Sequence, residues 1–306
     1  MIPTFKQLRY LCAVAEHQHF SKAAEACHVS QSTLSSGIQE LESQLGVMVF
    51  ERNKKSVLIT PVGEKLLAQA RILLGNAEDL VALAQASHET LSGDVRLGVI
   101  PTIGPFLLPQ MLSDLRNSYD QLKLFLKEDL SAELFLKLQQ GELDLILMAF
   151  PYPTPEMHVE PLFSDEFVLL LPQHHPLQKL KHVRQQNLRG EKLLLLEEGH
   201  CLRDHALEAC KLEPTQMDVA YQGTSLLTLV QMVANGLGVT LLPDLAIKAD
   251  ILGFANLETR QFTGEKVARE IGLAWRSSDP RRDDYLVFAE FIRTWVEKNF
   301  QLKAIR

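Results

Sequence analysis

Residues 20–35 of the chain read FSKAAEACHVSQSTLS, and this stretch decides the N-terminal fold. Its alanines are spaced for a short helix that Ser21 can cap. The chain then turns at His28 and Val29, and Ser30 can cap a second helix. Two short helices joined by a tight turn form a helix-turn-helix, in which the start of the second helix contacts DNA bases. The side chains expected there are Ser30, Gln31, Ser32, Thr33 and Ser35.

The segments on both sides of this stretch complete a winged domain. Apolar residues from about 5 to 16 keep a helical period, which predicts a first amphipathic helix. Residues 47–50 and 56–60 have the pattern of two short strands around a polar turn. Such a wing places Arg52 and Lys54 where they can reach DNA phosphates. Taken alone, the second helix is equally typical of a capped surface helix, and only this context favours DNA binding.

Composition indicates a folded protein whose charge is divided unevenly. Hydrophobic residues make up 46% and charged residues 23%, close to the averages of globular proteins. The net charge is −7, yet residues 1–65 carry seven Lys/Arg against six Asp/Glu and the remainder carries 24 against 32. This balance excludes a protein that coats nucleic acid by charge alone. DNA binding must therefore depend on placed contacts, helix N-termini and a dimer.

The chain has no segment suited to secretion or to a membrane. Its start lacks the basic region and apolar core of a signal peptide, and apolar runs such as residues 193–196 are too short to span a bilayer. Four cysteines are too few for a disulfide framework. We expect a cytoplasmic protein without a membrane partner, in which any cysteine pairing is transient and functional.

The rest of the chain divides into a long helix and an α/β region. Pro61 suits the first turn of a helix, and an apolar stripe from Leu66 to Ala84 would be exposed unless another chain covered it. Beyond residue 92, strand and helix patterns alternate, which predicts an open, largely parallel sheet with helices on both faces. The predicted strands are 95–100, 122–127, 144–149, 167–171, 193–197, 239–242 and 271–275, and the predicted helices are 105–117, 131–140, 225–235 and 283–298.

Residues 198–210 read EGHCLRDHALEAC and follow one of these buried strands directly. Periodic residues from Leu202 onward predict a helix, so Cys201 should lie at or beside its N-terminus. The helix dipole, Arg203 and His200 would all favour a thiolate over a thiol at Cys201. A thiolate is the nucleophile that attacks a peroxide.

Two other interpretations of this block stay open. A cysteine can be a buried small hydrophobe, which is the interpretation we assign to Cys12 and Cys27. A metal site could use the block's two histidines and two cysteines, His200, Cys201, His205 and Cys210. Their spacing lacks the short cysteine pairs of zinc sites, so we expect neither a metal nor another cofactor.

The N-terminal motifs resemble those of the LysR-type family of regulators. They are residues 20–24, 29–35, 41–42, 45–46, 50–52 and 60–63. The resemblance implies an all-α winged helix-turn-helix domain with a linker helix, followed by an α/β effector domain that is periplasmic-binding-protein-like and has two subdomains. The implied boundaries are 1–60 for the DNA-binding domain, 61–92 for the dimerising linker helix, and 93–306 for the effector domain, with subdomain I at 93–165 and 269–306 and subdomain II at 166–268. Its ligand site is expected in the cleft between subdomains, outside the carboxyl ends of strands.

Within that family, residues 198–210 resemble the members that sense hydrogen peroxide. In those members a reactive cysteine follows a histidine and precedes Leu-Arg-Asp, with a resolving cysteine downstream. The resemblance assigns these roles to Cys201, His200, Arg203, Asp204 and Cys210. It also implies a peroxide pocket with hydroxyl groups from Thr102 and from Ser131, where threonine is usual, and a linked arginine, Arg269, directly before the last strand.

The resemblance implies an activator of transcription rather than an enzyme. Peroxide would oxidise Cys201 to a sulfenic acid, and condensation with Cys210 would rearrange the effector dimer. The implied partners are promoter DNA, hydrogen peroxide as signal, a second copy in a homodimer that pairs into a homotetramer, a thiol reductant and RNA polymerase. The alternatives are a regulator of the same family that binds a small metabolite in the cleft, and a thiol peroxidase.

Overall fold

The computed structural model describes residues 2–52, 57–85, 90–209, 222–253, 257–264 and 267–305. The chain divides into two compact units. One comprises residues 1–88 and 137–142, and the other comprises residues 89–136 and 143–306. Among the described helices, none is both long enough and apolar enough to cross a lipid bilayer.

The first unit is a three-helix bundle with a two-stranded wing and a long helix. Its elements are α1 (Phe5–His17), α2 (Phe20–Ala26), α3 (Gln31–Leu45), β1 (Phe50–Arg52), β2 (Val57–Ile59) and α4 (Pro61–Gln85). The N-cap of α2 is His19, whose side chain accepts from the Ser21 amide, so the cap expected at Ser21 is wrong. Ser21 is already inside the helix because the chain is helical from Phe20.

The α3 helix is capped at both ends and joined to the wing by a buried carboxylate. Ser30 Oγ accepts from the Thr33 amide at 3.1 Å, and Gly46 ends the helix in the left-handed conformation that glycine favours. Glu42 Oε1 accepts from the amides of Val49 and Phe50 at 2.8 and 3.1 Å. These bonds fix the wing strands, which pair antiparallel, against α3.

The described part of α4 ends before the linker helix was expected to end. The helix covers Pro61–Gln85, residues 86–89 lie outside the described residues, and residues 90 and 91 form a turn. A helix through Ser92 is therefore wrong at its C-terminal end. Leu73, Leu80 and Val81 on α4 are exposed to between 49% and 70%. This is the apolar stripe that another chain was expected to cover.

The second unit is an α/β domain built on a mixed sheet. Its elements are β3 (Gly93–Val99), α5 (Gly104–Ser118), β4 (Leu122–Glu128), α6 (Ser131–Gln139), β5 (Leu145–Phe150), β6 (Met157–Pro172), β7 (Leu195–Leu196), α7 (Cys201–Ala209), β8 (Gln222–Gly223), α8 (Leu226–Ala234), β9 (Thr240–Pro243), α9 (Asp244–Lys248), β10 (Leu257–Gln261), β11 (Ala268–Arg276), α10 (Arg282–Asn299) and β12 (Lys303–Ala304). The main sheet runs β10-β6-β11-β5-β3-β4, with β9 and β12 also paired to β6.

The sheet is parallel only in part. Strands β3, β4 and β5 are parallel neighbours, whereas β11 is antiparallel to both β5 and β6. A largely parallel sheet was expected, and the difference arises because β11 returns between β5 and β6 in the opposite direction to both. Arg269 was expected just before the last strand and lies inside β11 instead.

Strand β6 changes partners along its length. Its first part pairs with β11 up to Glu166, and from Phe167 onward it pairs with β9 and β10. A cluster of buried apolar residues from β6, β7, α7, α8 and β9 forms the core on the second side of this change. On the first side, Trp275, Tyr285 and Phe288 are among the largest fully buried side chains. The carboxyl ends of β3 and β4 and the start of α7 meet beside this change of partners.

Candidate functional site

A small cavity lies at the carboxyl ends of β3 and β4 and at the start of α7. Its empty space is about 160 Å³ including the part open to solvent, with no room for a water-sized molecule. It is lined by Ile100, Pro101, Thr102, Leu130, Ser131, Gly199, His200 and Cys201. Ile100 to Thr102 follow β3, and Leu130 and Ser131 follow β4. The cavity is therefore formed where ligands bind in open α/β sheets.

Cys201 is the first residue of α7, and its side chain is half-buried. The preceding turn at Gly199 has φ +96°, which suits glycine and lets the chain enter the helix directly after the strand region. The other described cysteines differ in chemistry. Burial raises the pKa of Cys12 to about 11 and also raises the pKa of Cys27, so both favour the neutral thiol. Cys201 is the described cysteine that opens to a cavity.

The surroundings of Cys201 are less electropositive than the sequence suggests. Burial lowers the pKa of His200, only partly opposed by Glu197, so its imidazole is neutral near pH 7. Arg203 Nη1 is 3.9 Å from Glu198 Oε1 and, within the described chain, has no hydrogen-bond partner although it is buried. His200 is therefore a neutral hydrogen-bonding group in the cavity lining, and Arg203 is the cation two positions after Cys201 in the sequence.

Ser131 presents an unused hydroxyl to the cavity. Its side chain is 3% exposed, and its Oγ has no hydrogen-bond partner among the described residues. A buried polar atom without a partner is costly, so this hydroxyl is available for a hydrogen bond to a molecule that enters the cavity.

Thr102 and Arg269 form a buried network behind the cavity. Arg269 Nη1 donates to Thr102 Oγ1 at 2.8 Å, and Nη2 donates to the Thr102 carbonyl at 3.1 Å. The same guanidinium donates to Asp165 Oδ2 through Nε and Nη2 at 3.0 and 2.9 Å. Asp165 Oδ1 also accepts from the Leu245 amide at 2.9 Å. Arg269 does not line the cavity but fixes the Thr102 hydroxyl that does.

The structure brings together some of the expected pocket residues and leaves others apart. Thr102, Ser131, His200 and Cys201 share the cavity. The exposed Asp204 does not line it. Cys210 and Lys54 lie outside the described residues, as does the side chain of Arg52. Within the described ranges no cluster of three or more His, Cys, Asp or Glu side chains could hold a metal.

Two residues near the cavity were missed from sequence. Asp165 pairs with Arg269, and its burial raises its pKa against the opposing effect of that arginine. Sequence gives no signal for it because the pair joins strands 104 positions apart. His205 lies one helical turn after Cys201 and was considered only as a metal ligand. Its spacing of four residues was a signal that the two side chains share a face of α7.

The start of α3 is an exposed, hydroxyl-rich surface. Ser30, Gln31, Ser32 and Thr33 are all exposed, while Leu34 turns into the core. Ser30 Oγ contacts the hydroxyls of Ser32 and Thr33 at 2.8 and 2.7 Å, and Gln31 Oε1 accepts from Ser21 Oγ at 2.7 Å. The network holds these side chains in fixed orientations on the face expected to meet DNA.

Two family models match the chain. Residues 5–64 match the bacterial regulatory helix-turn-helix proteins of the lysR family, and residues 88–297 match the LysR substrate binding domain. A full-length OxyR cysteine-to-aspartate variant from Pseudomonas aeruginosa is 41% identical in sequence. That solved structure superposes with a TM-score of 0.81, covering 96% of this chain and 95% of the other.

Relatives with similar identity carry two different names. The HTH-type transcriptional regulator EstR of Acinetobacter baylyi is 38% identical over 292 residues, which is 95% of this chain and 97% of EstR. A hydrogen peroxide-inducible genes activator of Escherichia coli is 39% identical over 295 residues, which is 96% of each chain.

Proposed function

We propose, since the chain belongs to the LysR family of bacterial transcription regulators, that it is an OxyR-type regulator that senses hydrogen peroxide through Cys201. The family consists of DNA-binding regulators rather than enzymes, and its helix-turn-helix and effector domains are both present. The alternative of a thiol peroxidase is set aside because it leaves the helix-turn-helix unexplained.

The observation that carries the proposal is the cavity beside Cys201. Its polar lining consists of the Cys201 thiol, His200, and the hydroxyls of Thr102 and Ser131, one of which has no partner in the described chain. A molecule with two oxygens, each able to donate and accept hydrogen bonds, matches the hydrogen-bonding groups of this lining. The cavity is far too narrow for a drug-sized ligand, whose pockets measure about 300–1,000 Å³.

The chemistry takes two steps. The Cys201 thiolate attacks one peroxide oxygen, the O–O bond breaks, and the leaving oxygen takes up a proton to give the sulfenic acid and water. The Cys210 thiolate then attacks the sulfenic sulfur, forming the S–S bond and releasing the hydroxyl with a proton as a second water. A thiol reductant reverses the bond by disulfide exchange.

The oxidised and reduced effector domains would hold the DNA-binding domains of a homodimer or homotetramer differently. Promoter DNA is read by the exposed start of α3 at Ser30–Ser35 and contacted by the wing at Arg52 and Lys54. The change in DNA geometry would then alter contact with RNA polymerase. Each step is a change in the population of two conformations, biased by the redox state of the cysteines.

The test is a mass measurement of the disulfide state after mild peroxide, on wild type and on Cys201→Ser and Cys210→Ser. We expect a Cys201–Cys210 disulfide in wild type, a trapped sulfenic acid in Cys210→Ser, and neither in Cys201→Ser. Cys12→Ser is the matched control and should behave as wild type. A wild-type protein whose Cys201 stays a thiol would contradict the proposal.

A second candidate is a regulator whose signal is a small metabolite. EstR, a transcriptional regulator whose name does not mention peroxide, matches this chain as well as the peroxide-inducible activator does, so overall identity does not decide the signal. In that case Cys201→Ser would keep a full transcriptional response in cells. Loss of the peroxide response in this variant, with operator binding retained, decides for the thiol.

A further inference from the structure

His205 lies inside the helix that must rearrange if Cys201 and Cys210 are to pair. It is four residues after Cys201 on α7, and i and i+4 side chains share one face of a helix. Its Nε2 is 3.2 Å from the carbonyl oxygen of Pro151, directly after β5. This hydrogen bond ties the middle of α7 to a segment 54 positions away in sequence.

The Pro151 carbonyl determines which nitrogen of the His205 imidazole carries the proton. A carbonyl can only accept, so Nε2 carries the proton of this bond. Burial lowers the pKa of His205, and the neighbouring Arg269 lowers it further, so the ring is neutral and Nδ1 has a bare lone pair. Nδ1 is buried and has no partner in the part of the chain that the structure describes. A second proton would therefore have to be placed on a buried nitrogen that has no described acceptor.

We propose that His205 is a positioning residue that anchors α7 to Pro151 in the reduced protein, and that release of this anchor controls the rate at which Cys201 sulfenic acid closes onto Cys210. The inference rests on the proposed function. His205 does not line the cavity and takes no part in the reaction with peroxide. It acts on the second step only, because disulfide closure requires α7 to unwind and the anchor opposes that unwinding.

The same anchor makes closure depend on pH. Charged groups near the ring are Asp204 and Glu208 from α7 and Arg269 from β11, while β7 contributes only Leu195 and Leu196. Because the pKa of His205 is lowered in the wound helix, an unwound segment takes up the proton first as the pH falls. Neutral His205 stabilises the wound helix above the ordinary imidazole pKa of about 6.5, and this stabilisation is lost as the pH falls below that pKa.

Two substitutions separate the effect of the anchoring hydrogen bond on α7 unwinding from the effect of helix propensity. In His205→Gln the amide N–H can donate to the Pro151 carbonyl, whereas in His205→Leu the donor is lost. Leu and Gln have nearly equal helix propensity and both exceed His. If propensity alone mattered, both variants would unwind more slowly than wild type. The anchor predicts that only the Leu variant unwinds faster.

The experiment is quenched-flow mass spectrometry of the full-length protein, which follows the sulfenic acid and the disulfide separately. We expect equal rates of sulfenic acid formation in all three proteins. Disulfide closure should be roughly three- to tenfold faster in His205→Leu than in His205→Gln, the effect of one hydrogen bond. The ratio of closure rates, wild type over His205→Gln, should rise as the pH falls from about 7.5 to about 5.5.

A second readout needs no peroxide. Amides of α7 in reduced His205→Leu should exchange with deuterium faster than those of His205→Gln, by a similar factor. Equal closure and equal exchange in the two variants, or a ratio that does not change with pH, would overturn the anchor while leaving the disulfide mechanism intact. Failure of wild type to form a sulfenic acid would instead overturn the proposed function, and the exchange comparison would still decide the anchor.

Discussion

Arg269 and Asp165 form an ion pair whose side chains are both fully buried, with Nη2 and Oδ2 2.9 Å apart. The pair joins β11 to β6 just before β6 changes strand partners, and its arginine also holds the Thr102 hydroxyl. The Arg269 side chain therefore contacts both Asp165, which joins the two strands, and Thr102, which lines the candidate pocket.

Removing Arg269 should lower the stability of the effector domain and also slow the reaction at the pocket. Arg269→Ala leaves a buried carboxylate without its partner, which costs about 3–5 kcal/mol in such pairs. We expect that loss in urea-induced unfolding of the effector domain, together with slower oxidation of Cys201. Arg116→Ala is a matched control because Arg116 is exposed, and it should stay within about 0.5 kcal/mol of wild type. A stable Arg269→Ala protein would contradict the importance of the pair.

DNA reading should be separable from sensing. Thr33→Ala removes an exposed hydroxyl at the start of α3, and Arg52→Ala removes a wing cation. Both should weaken operator binding. Thr33→Ala should lower the affinity by about tenfold through loss of a contact with a base. Arg52→Ala should also reduce the salt dependence of binding, because phosphate contacts release counterions. Gel shifts measure the binding, and thiol labelling should show unchanged oxidation of Cys201. Thr33→Ser keeps the hydroxyl and should bind as wild type; undiminished affinity in both test variants would refute this assignment of the recognition helix and wing.

The two domains were predictable from sequence to different extents. Ser30 was correctly expected to cap the start of α3, because caps follow local chemistry. The length of β6 and the antiparallel return of β11 were not predictable, since they depend on pairing between residues such as Asp165 and Arg269, far apart in the chain. Local chemistry also indicated a cysteine at a helix start. It could not give the neutral state of His200, which results from burial by the fold.

The Ser131 hydroxyl should matter for reactivity but not for stability. Its Oγ is buried without a partner among the described residues, so removing it in Ser131→Ala removes an unsatisfied group. We expect thermal stability equal to or above wild type, and a peroxide reaction slowed by about tenfold, the loss of roughly one hydrogen bond to the ligand. Ser131→Thr keeps a hydroxyl and should react faster than Ser131→Ala. A stability loss in Ser131→Ala with an unchanged stopped-flow rate would show that the hydroxyl is structural.

The proposed disulfide would require the α7 segment to refold. Cys201 and Cys210 are nine positions apart in sequence, which in a continuous helix means a rise of about 14 Å. Nine steps of about 100° also place them on opposite faces. A disulfide needs Cα atoms within about 7 Å, and α7 is helical from Cys201 to Ala209.

Oxidised wild type should therefore lose helical signal and gain hydrogen exchange across residues 202–209, the part of α7 after Cys201. Cys210→Ser should stop at the sulfenic acid and keep the protection of the reduced helix, because no bond pulls the segment out of shape. Hydrogen-exchange mass spectrometry on reduced and oxidised protein makes the measurement, with α8 (Leu226–Ala234) as an internal reference whose protection should stay constant. Unchanged protection of α7 in a protein whose disulfide is confirmed by mass would refute the refolding mechanism.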